Sequence, residues 1–161
     1  MNPDPHVSTA EIAYLGAVDI LERLQQGSLT STQLVTSLLE RIAALDAADS
    51  EIGLRSILAV APDALVIAAQ RDRQRAAGEL VGPLHGVPIV IKDNLEAVGL
   101  PCTAGSLALI DAPVREDAPV VRQLRDAGAI VMAATNLSEW ANIRSGASTS
   151  GWSAVGGLTG N

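Results

Sequence analysis

Apolar residues recur at three-residue steps through Ile12, Leu15, Val18, Leu21 and Leu24, and Gly27 stops the pattern, which predicts an amphipathic helix. Thr30 or Ser31 caps a second helix, whose stripe is Leu34, Val35, Leu38, Leu39, Ile42 and Leu45. Residues 56–61 read as a strand, and Pro62 opens a third helix that ends in the charged stretch 71–75 before Gly78. From Gly82 the pattern changes. A turn cluster, Gly82-Pro83-Leu84-His85-Gly86, leads into Val87-Pro88-Ile89-Val90-Ile91, a continuous apolar run. That run predicts a strand buried on both faces, with Pro88 near its start where a missing N–H is tolerated. Glu116 and Asp117 begin a helix that carries Val120, Val121 and Leu124 inward, Gly128 ends it, and residues 129–133 form a second buried strand. Strand, helix and strand at this spacing predict a crossover between parallel strands. The fold class is α/β, with a helical pair over residues 10–46, an α/β portion over 56–161, and no internal repeat.

Composition supports a packed core: of 161 residues, 48% are apolar and 18% charged. Aromatics make up only 2%, with no Phe, so Leu, Val, Ile and Ala must fill the interior. Eighteen acidic against eleven basic residues give a net charge of −7, which argues against nucleic acid or an anionic membrane as partner. The apolar runs fall well short of the roughly 20 residues a spanning helix needs. Residues 1–10 hold no basic cluster followed by an apolar stretch, so no secretory signal is expected and the cytoplasm is the default location. Cys102 is the sole cysteine, which excludes an intrachain disulfide; with only His6 and His85 beside it, a His/Cys metal site is not expected.

Ten of the eleven basic residues are Arg, and the single lysine, Lys92, directly follows the apolar run. Burial there would disfavour the ammonium form and make a neutral amine available as a base or nucleophile. The structural alternative is a strand-end lysine that reaches solvent or pairs with Asp93. Strand ends are where α/β proteins place their sites. Other constellations are weaker. Cys102 and His85 suggest a thiol–imidazole pair only loosely, a buried thiol and a turn histidine being the better readings. Gly156-Gly157-x-x-Gly160 lacks the preceding strand and the Lys-Ser/Thr pair of a phosphate loop. Ser138 reads as a helix cap with Glu139 in the first turn, and Asn136 and Glu139 as pins beneath a site. Residues 145–161 contain five Gly and six Ser or Thr, the composition of a linker. Trp152, Val155 and Leu158, spaced through the segment, are instead what an ordered glycine-rich loop would carry.

The segment Gly82-Pro83-Leu84-His85-Gly86-Val87-Pro88-Ile89-Val90-Ile91-Lys92-Asp93-Asn94 closely resembles the lysine motif of the amidase signature family. Thr103-Ala104-Gly105-Ser106, Asp117-Ala118-Pro119-Val120-Val121 and Leu124-Arg125-Asp126-Ala127-Gly128-Ala129 follow in the family's order. Thr135-Asn136-Leu137-Ser138-Glu139-Trp140-Ala141 and Gly156-Gly157-Leu158-Thr159-Gly160-Asn161 continue it. The version Asn136-Leu137-Ser138-Glu139-Trp140-Ala141-Asn142, with Ser150-Gly151-Trp152-Ser153, is most similar to the peptide amidase branch. The resemblance implies a mixed sheet flanked by helices, of which this chain is an incomplete N-terminal portion of one domain. It also implies hydrolysis of a small-molecule or peptide amide through a Ser–cis-Ser–Lys triad, with no metal or organic cofactor. Lys92 matches the catalytic lysine, and Arg144, Ser145 and Gly146 form a candidate substrate-side loop. Both family serines lie in motifs beyond Asn161; Ser106, Ser145, Ser148, Ser150 and Ser153 do not match them. The chain alone is therefore expected to be inactive and poorly folded, its partner being the serine-bearing C-terminal part of the same enzyme. The alternative is a split or remnant chain, an interaction module that needs a complementary serine-bearing chain.

Overall fold

The structure, a computed structural model, describes residues 9–12, 14–47, 53–143 and 145–160. At its centre lies β3 (Ile130–Thr135), whose first five residues are all buried. On one side β3 pairs antiparallel with β1 (Ile57–Val60), setting Val60 opposite Ala133. On the other it pairs parallel with β2 (Pro88–Lys92), in a register running from Pro88 opposite Ile130 to Lys92 opposite Thr135. The three-stranded sheet is thus mixed, and the parallel pair joined through a helix is the crossover that the sequence predicts. The chain order of the remaining elements is α1 (Thr9–Ile12), α2 (Ala17–Gln26), α3 (Ser31–Leu45), α4 (Ala64–Ala76), α5 (Pro119–Asp126) and a hairpin of β4 (Trp152–Ser153) and β5 (Gly157–Leu158). Val35 of α3, Ala64 and Ala68 of α4 and Val121 of α5 join β3 in the main core. Leu24, Leu29 and Leu34 form a second cluster with Val87.

Local chemistry accounts for these elements. Thr30 and Gln33 cap α3 reciprocally: Thr30 Oγ1 accepts from the Gln33 N–H at 3.0 Å, and Gln33 Oε1 accepts from the Thr30 N–H at 2.9 Å. The Asp72 carboxylate accepts from the next two backbone amides, Ser31 at 2.7 Å and Thr32 at 2.9 Å, binding α4 to the positive end of α3. The buried Asp46 carboxylate accepts from the amides of Ser56 and Ile57 and so sets the start of β1.

Several expectations need correction. The first helix breaks at Gly16, which is extended, and its N–H donates to the Asp19 carboxylate at 3.1 Å. A three-residue step advances only about 300° around a helix, so the stripe drifts; Val18 ends on the outer face. The strand foreseen as buried on both faces is an outer strand of this sheet, and Val90 is 46% exposed. The helix foreseen from Glu116 starts at Pro119, and Val120 points outward while Val121 is buried.

His85 locks the turn before β2. It is 3% exposed, and its two ring nitrogens meet the Val81 N–H at 3.1 Å and the Arg71 carbonyl at 2.8 Å. Nδ1 must accept from the amide, which assigns the proton to Nε2 and makes the ring neutral. Burial, reinforced by the Arg75 and Arg71 guanidinium groups, holds His85 below its ordinary range against the opposing hydrogen bond to Arg71. An unfolded histidine titrates near ~6.5, so below that pH the unfolded chain takes up a proton that the folded chain refuses. The contribution of His85 is therefore complete above pH ~6.5 and is lost as pH falls toward its folded value. With the chain joined to its expected C-terminal part, denaturant unfolding at about pH 5.5 and about pH 7.5 should show lower stability at the acid value, with a smaller difference in His85→Gln. Equal pH dependence in the two proteins would refute the assignment.

Candidate active site

Lys92 closes β2 directly opposite Thr135, the last residue of β3, so the C-terminal ends of the two parallel strands coincide. Ligands of open α/β sheets bind at this end. Side chains alternate across a strand, and here Ile91 and Asp93 turn inward while Lys92 turns out. The Lys92 side chain is exposed and makes no ion pair among the described residues, so the desolvation expected from sequence is not found in this chain. Pairing with Asp93 is not found either, because the Asp93 carboxylate is committed elsewhere.

Asp93 is fully buried, a costly place for a carboxylate without donors. Its Oδ1 accepts from the Thr103 N–H at 3.0 Å, and its Oδ2 accepts from the Thr103 hydroxyl and from the Gly105 N–H at 3.1 Å. The Asp93 backbone is held too: its N–H donates to Thr135 O at 3.1 Å, and its carbonyl accepts from the Ala104 N–H at 2.9 Å. Loop 103–105 in turn carries the neighbouring segments. Ala104 O accepts from the Trp140 N–H at 2.9 Å, and Gly105 O from the Val155 N–H at 3.2 Å.

Asn136, immediately after β3, is a second junction. Its amide NH2 donates to the carbonyls of Arg55 and Gly157, both at 3.2 Å, and to Thr159 Oγ1 at 3.0 Å. Its Oδ1 accepts from the Ser153 hydroxyl at 2.7 Å. A Cβ on Gly156 would lie 2.6 Å from the Asn136 carboxamide and 2.5 Å from Leu58, so only glycine lets the hairpin approach this closely. The glycine-rich segment is therefore an ordered wall of the strand ends. Glu139 acts as the pin foreseen for it, accepting from the Ala154 N–H at 3.1 Å. Ser138 does not cap a helix: its Oγ accepts from the Gly151 N–H at 2.8 Å, and the following turn places Trp140, Ala141 and Asn142 at φ of 49°, 51° and 64°. Left-handed values at three successive non-glycine residues are uncommon and mark a backbone held by its surroundings.

That turn and the following loop enclose a cleft of about 350 Å³, lined by Trp140, Trp152, Glu139, Asn142, Ser148 and Thr149. Ser145 and Gly146 lie on the exposed loop leading into it, where Ser145 Oγ accepts from the Ala147 N–H at 3.1 Å. Arg144 lies outside the described residues. His85 spends both ring nitrogens on backbone groups, so it forms no pair with Cys102, whose thiol burial pushes up. Sequence reasoning missed Asp93 and Thr103. The available signal was an acidic residue at the end of an apolar run, followed by Thr-x-Gly with no other role.

Residues 33–155 match the sequence profile of the family described as Amidase. The chain belongs to the amidase family. A putative amidase of Arthroderma benhamiae is 42% identical over 83% of this chain and 22% of its own length. A probable amidase of Arabidopsis thaliana is 39% identical over 92% of this chain and 29% of its own length. The native peptide amidase of Stenotrophomonas maltophilia superposes with a TM-score of 0.85 at 50% identity, covering 91% of this chain and 30% of that one. The architecture is thus part of the amidase signature fold, and the chain spans less than a third of the length of these amidases.

Proposed function

We propose that this chain is the N-terminal part of an amidase that hydrolyses carboxamide C–N bonds, with Lys92 as the base of a Ser–cis-Ser–Lys triad. The observation that carries the reading is the setting of Lys92. The only lysine of the chain stands at the C-terminal end of a parallel strand, its backbone flanked by the buried Asp93 anchor. In the complete enzyme the serine-bearing segments would cover this end and remove Lys92 from water, which favours the neutral amine. That amine takes the proton of the cis-serine hydroxyl as the latter relays one from the nucleophilic serine. The nucleophile attacks the amide carbon, and the ammonium then helps return a proton to the departing ammonia or amine. Water releases the acid from the acyl-enzyme by the same relay.

A peptide carboxamide is the first substrate to test, given the likeness to a peptide amidase. The complete enzyme should release ammonia from it, and hydroxylamine should divert the acyl group to a hydroxamate. The 161-residue chain alone should release none, having a base without a nucleophile. Failure of the complete enzyme on peptide, fatty and aryl amides alike would overturn the reading.

A further inference from the structure

We propose that Asp93 is a positioning residue, which holds the turn around Trp140 and the β4–β5 hairpin in a fixed relation to Lys92; the inference rests on the reading of Lys92 as the base. Asp93 follows Lys92 in the chain, so its backbone moves with the lysine's, and its N–H is fastened to Thr135 O. Its carboxylate meets three donors in loop 103–105, two amides and one hydroxyl. From that loop the carbonyls of Ala104 and Gly105 hold Trp140 and Val155. Two hydrogen-bond steps thus join the residue beside the base to Trp140, which lines the cleft, and to Val155 in the β4–β5 hairpin whose Trp152 lines it. The path is polar and enclosed: Asp93 is 0% and Thr103 1% exposed. A buried carboxylate satisfied wholly by donors from one loop has no competing use for its charge, and it fixes that loop more tightly than a neutral acceptor would.

Asparagine at position 93 keeps the shape but turns an NH2 toward a site built of donors. Oδ1 retains one amide, while the Gly105 N–H loses its acceptor on Asp93 and keeps only Thr103 Oγ1, at 3.0 Å. Loop 103–105 then loosens, and both walls shift relative to Lys92 with the base itself left in place. Displacements of this kind cost up to about 100-fold when geometry is critical.

The test uses the complete enzyme and a short peptide carboxamide. In Asp93→Asn, kcat/KM should fall about 10- to 100-fold, chiefly through KM, while the acid limb of the kcat–pH profile stays where it is. Thr103→Val, which removes only the hydroxyl, should move KM in the same direction, and Thr103→Ser should restore it. Where Asp93→Asn fails to fold, the Thr103 pair still decides. A folded Thr103→Val with unchanged KM, or a Thr103→Ser as impaired as Thr103→Val, overturns the proposal. Activity retained in Lys92→Ala would instead overturn the assignment of the base, and the KM comparison would still report on the walls.

Discussion

Replacing Lys92 by Ala in the complete enzyme should lower kcat by at least about 100-fold, the lower range for a positioned general base. Replacing it by Arg should do little better. A guanidinium stays charged throughout the accessible pH range and cannot accept the serine proton, however well it fills the space. The pair of variants therefore separates proton transfer from simple positive charge, because a merely electrostatic role would survive in Lys92→Arg. In the complete enzyme the serine-bearing segments would cover Lys92 and pack against it, so a loss of activity counts only in a variant that remains folded. Steady-state ammonia release, with unfolding midpoints measured alongside, is the required comparison. Activity within a few fold of the parent in either variant removes Lys92 from the mechanism.

The second large effect is structural. Gly128, between α5 and β3, has φ of +93°, and a Cβ there would lie 2.7 Å from the His85 Cα and 3.0 Å from its backbone nitrogen. Neither side can yield cheaply. The Gly128 carbonyl accepts from the Gly86 N–H at 3.0 Å and from Arg71 Nε at 3.2 Å, while the His85 ring is held at both nitrogens. Gly128→Ala therefore combines a left-handed backbone, about 1–2 kcal/mol for an L-residue, with overpacking of about 1–3 kcal/mol. A loss near 3 kcal/mol is expected in denaturant unfolding of the complete enzyme. Gly78→Ala is the matched control, since Gly78 has φ of +75° with nothing within 4 Å of the added Cβ. Equal losses at the two positions would show that the approach to His85 contributes nothing.

The three strands of the main sheet and the middle helices were legible as elements because apolar runs and helical periodicity mark them, whereas the β4–β5 hairpin was read only as an ordered loop. β3 is covered on both faces, and α3 starts at the cap expected at Thr30 or Ser31, where the structure adds the reciprocal bond from Gln33. Patterns failed where a residue's burial depends on what lies beside it. Val90 belongs to an apolar run, yet it lies on the same face of β2 as Lys92, two residues on, and both are exposed there while Ile91 on the opposite face is buried. At residues 138–142, Ser138 and Glu139 at capping positions resemble a helix start, but their oxygens are drawn away by Gly151 and Ala154, and the backbone coils left-handed instead. Those partners are 13 and 15 residues distant, beyond any local rule. Asp93 was hidden for a related reason: an acid beside a lysine suggests an ion pair until the strand's alternation sends the two side chains to opposite faces.

Asn136 ties together stretches far apart along the chain, reaching back 81 residues to Arg55 and forward 23 to Thr159. Closing such loops costs chain entropy before any contact repays it. One part of the dock for segment 151–160, the Arg55 carbonyl beside Asn136, is therefore complete only once β1 and β3 have paired. The topology thus favours an order in which β1 pairs with β3 before the glycine-rich wall closes fully over the strand ends.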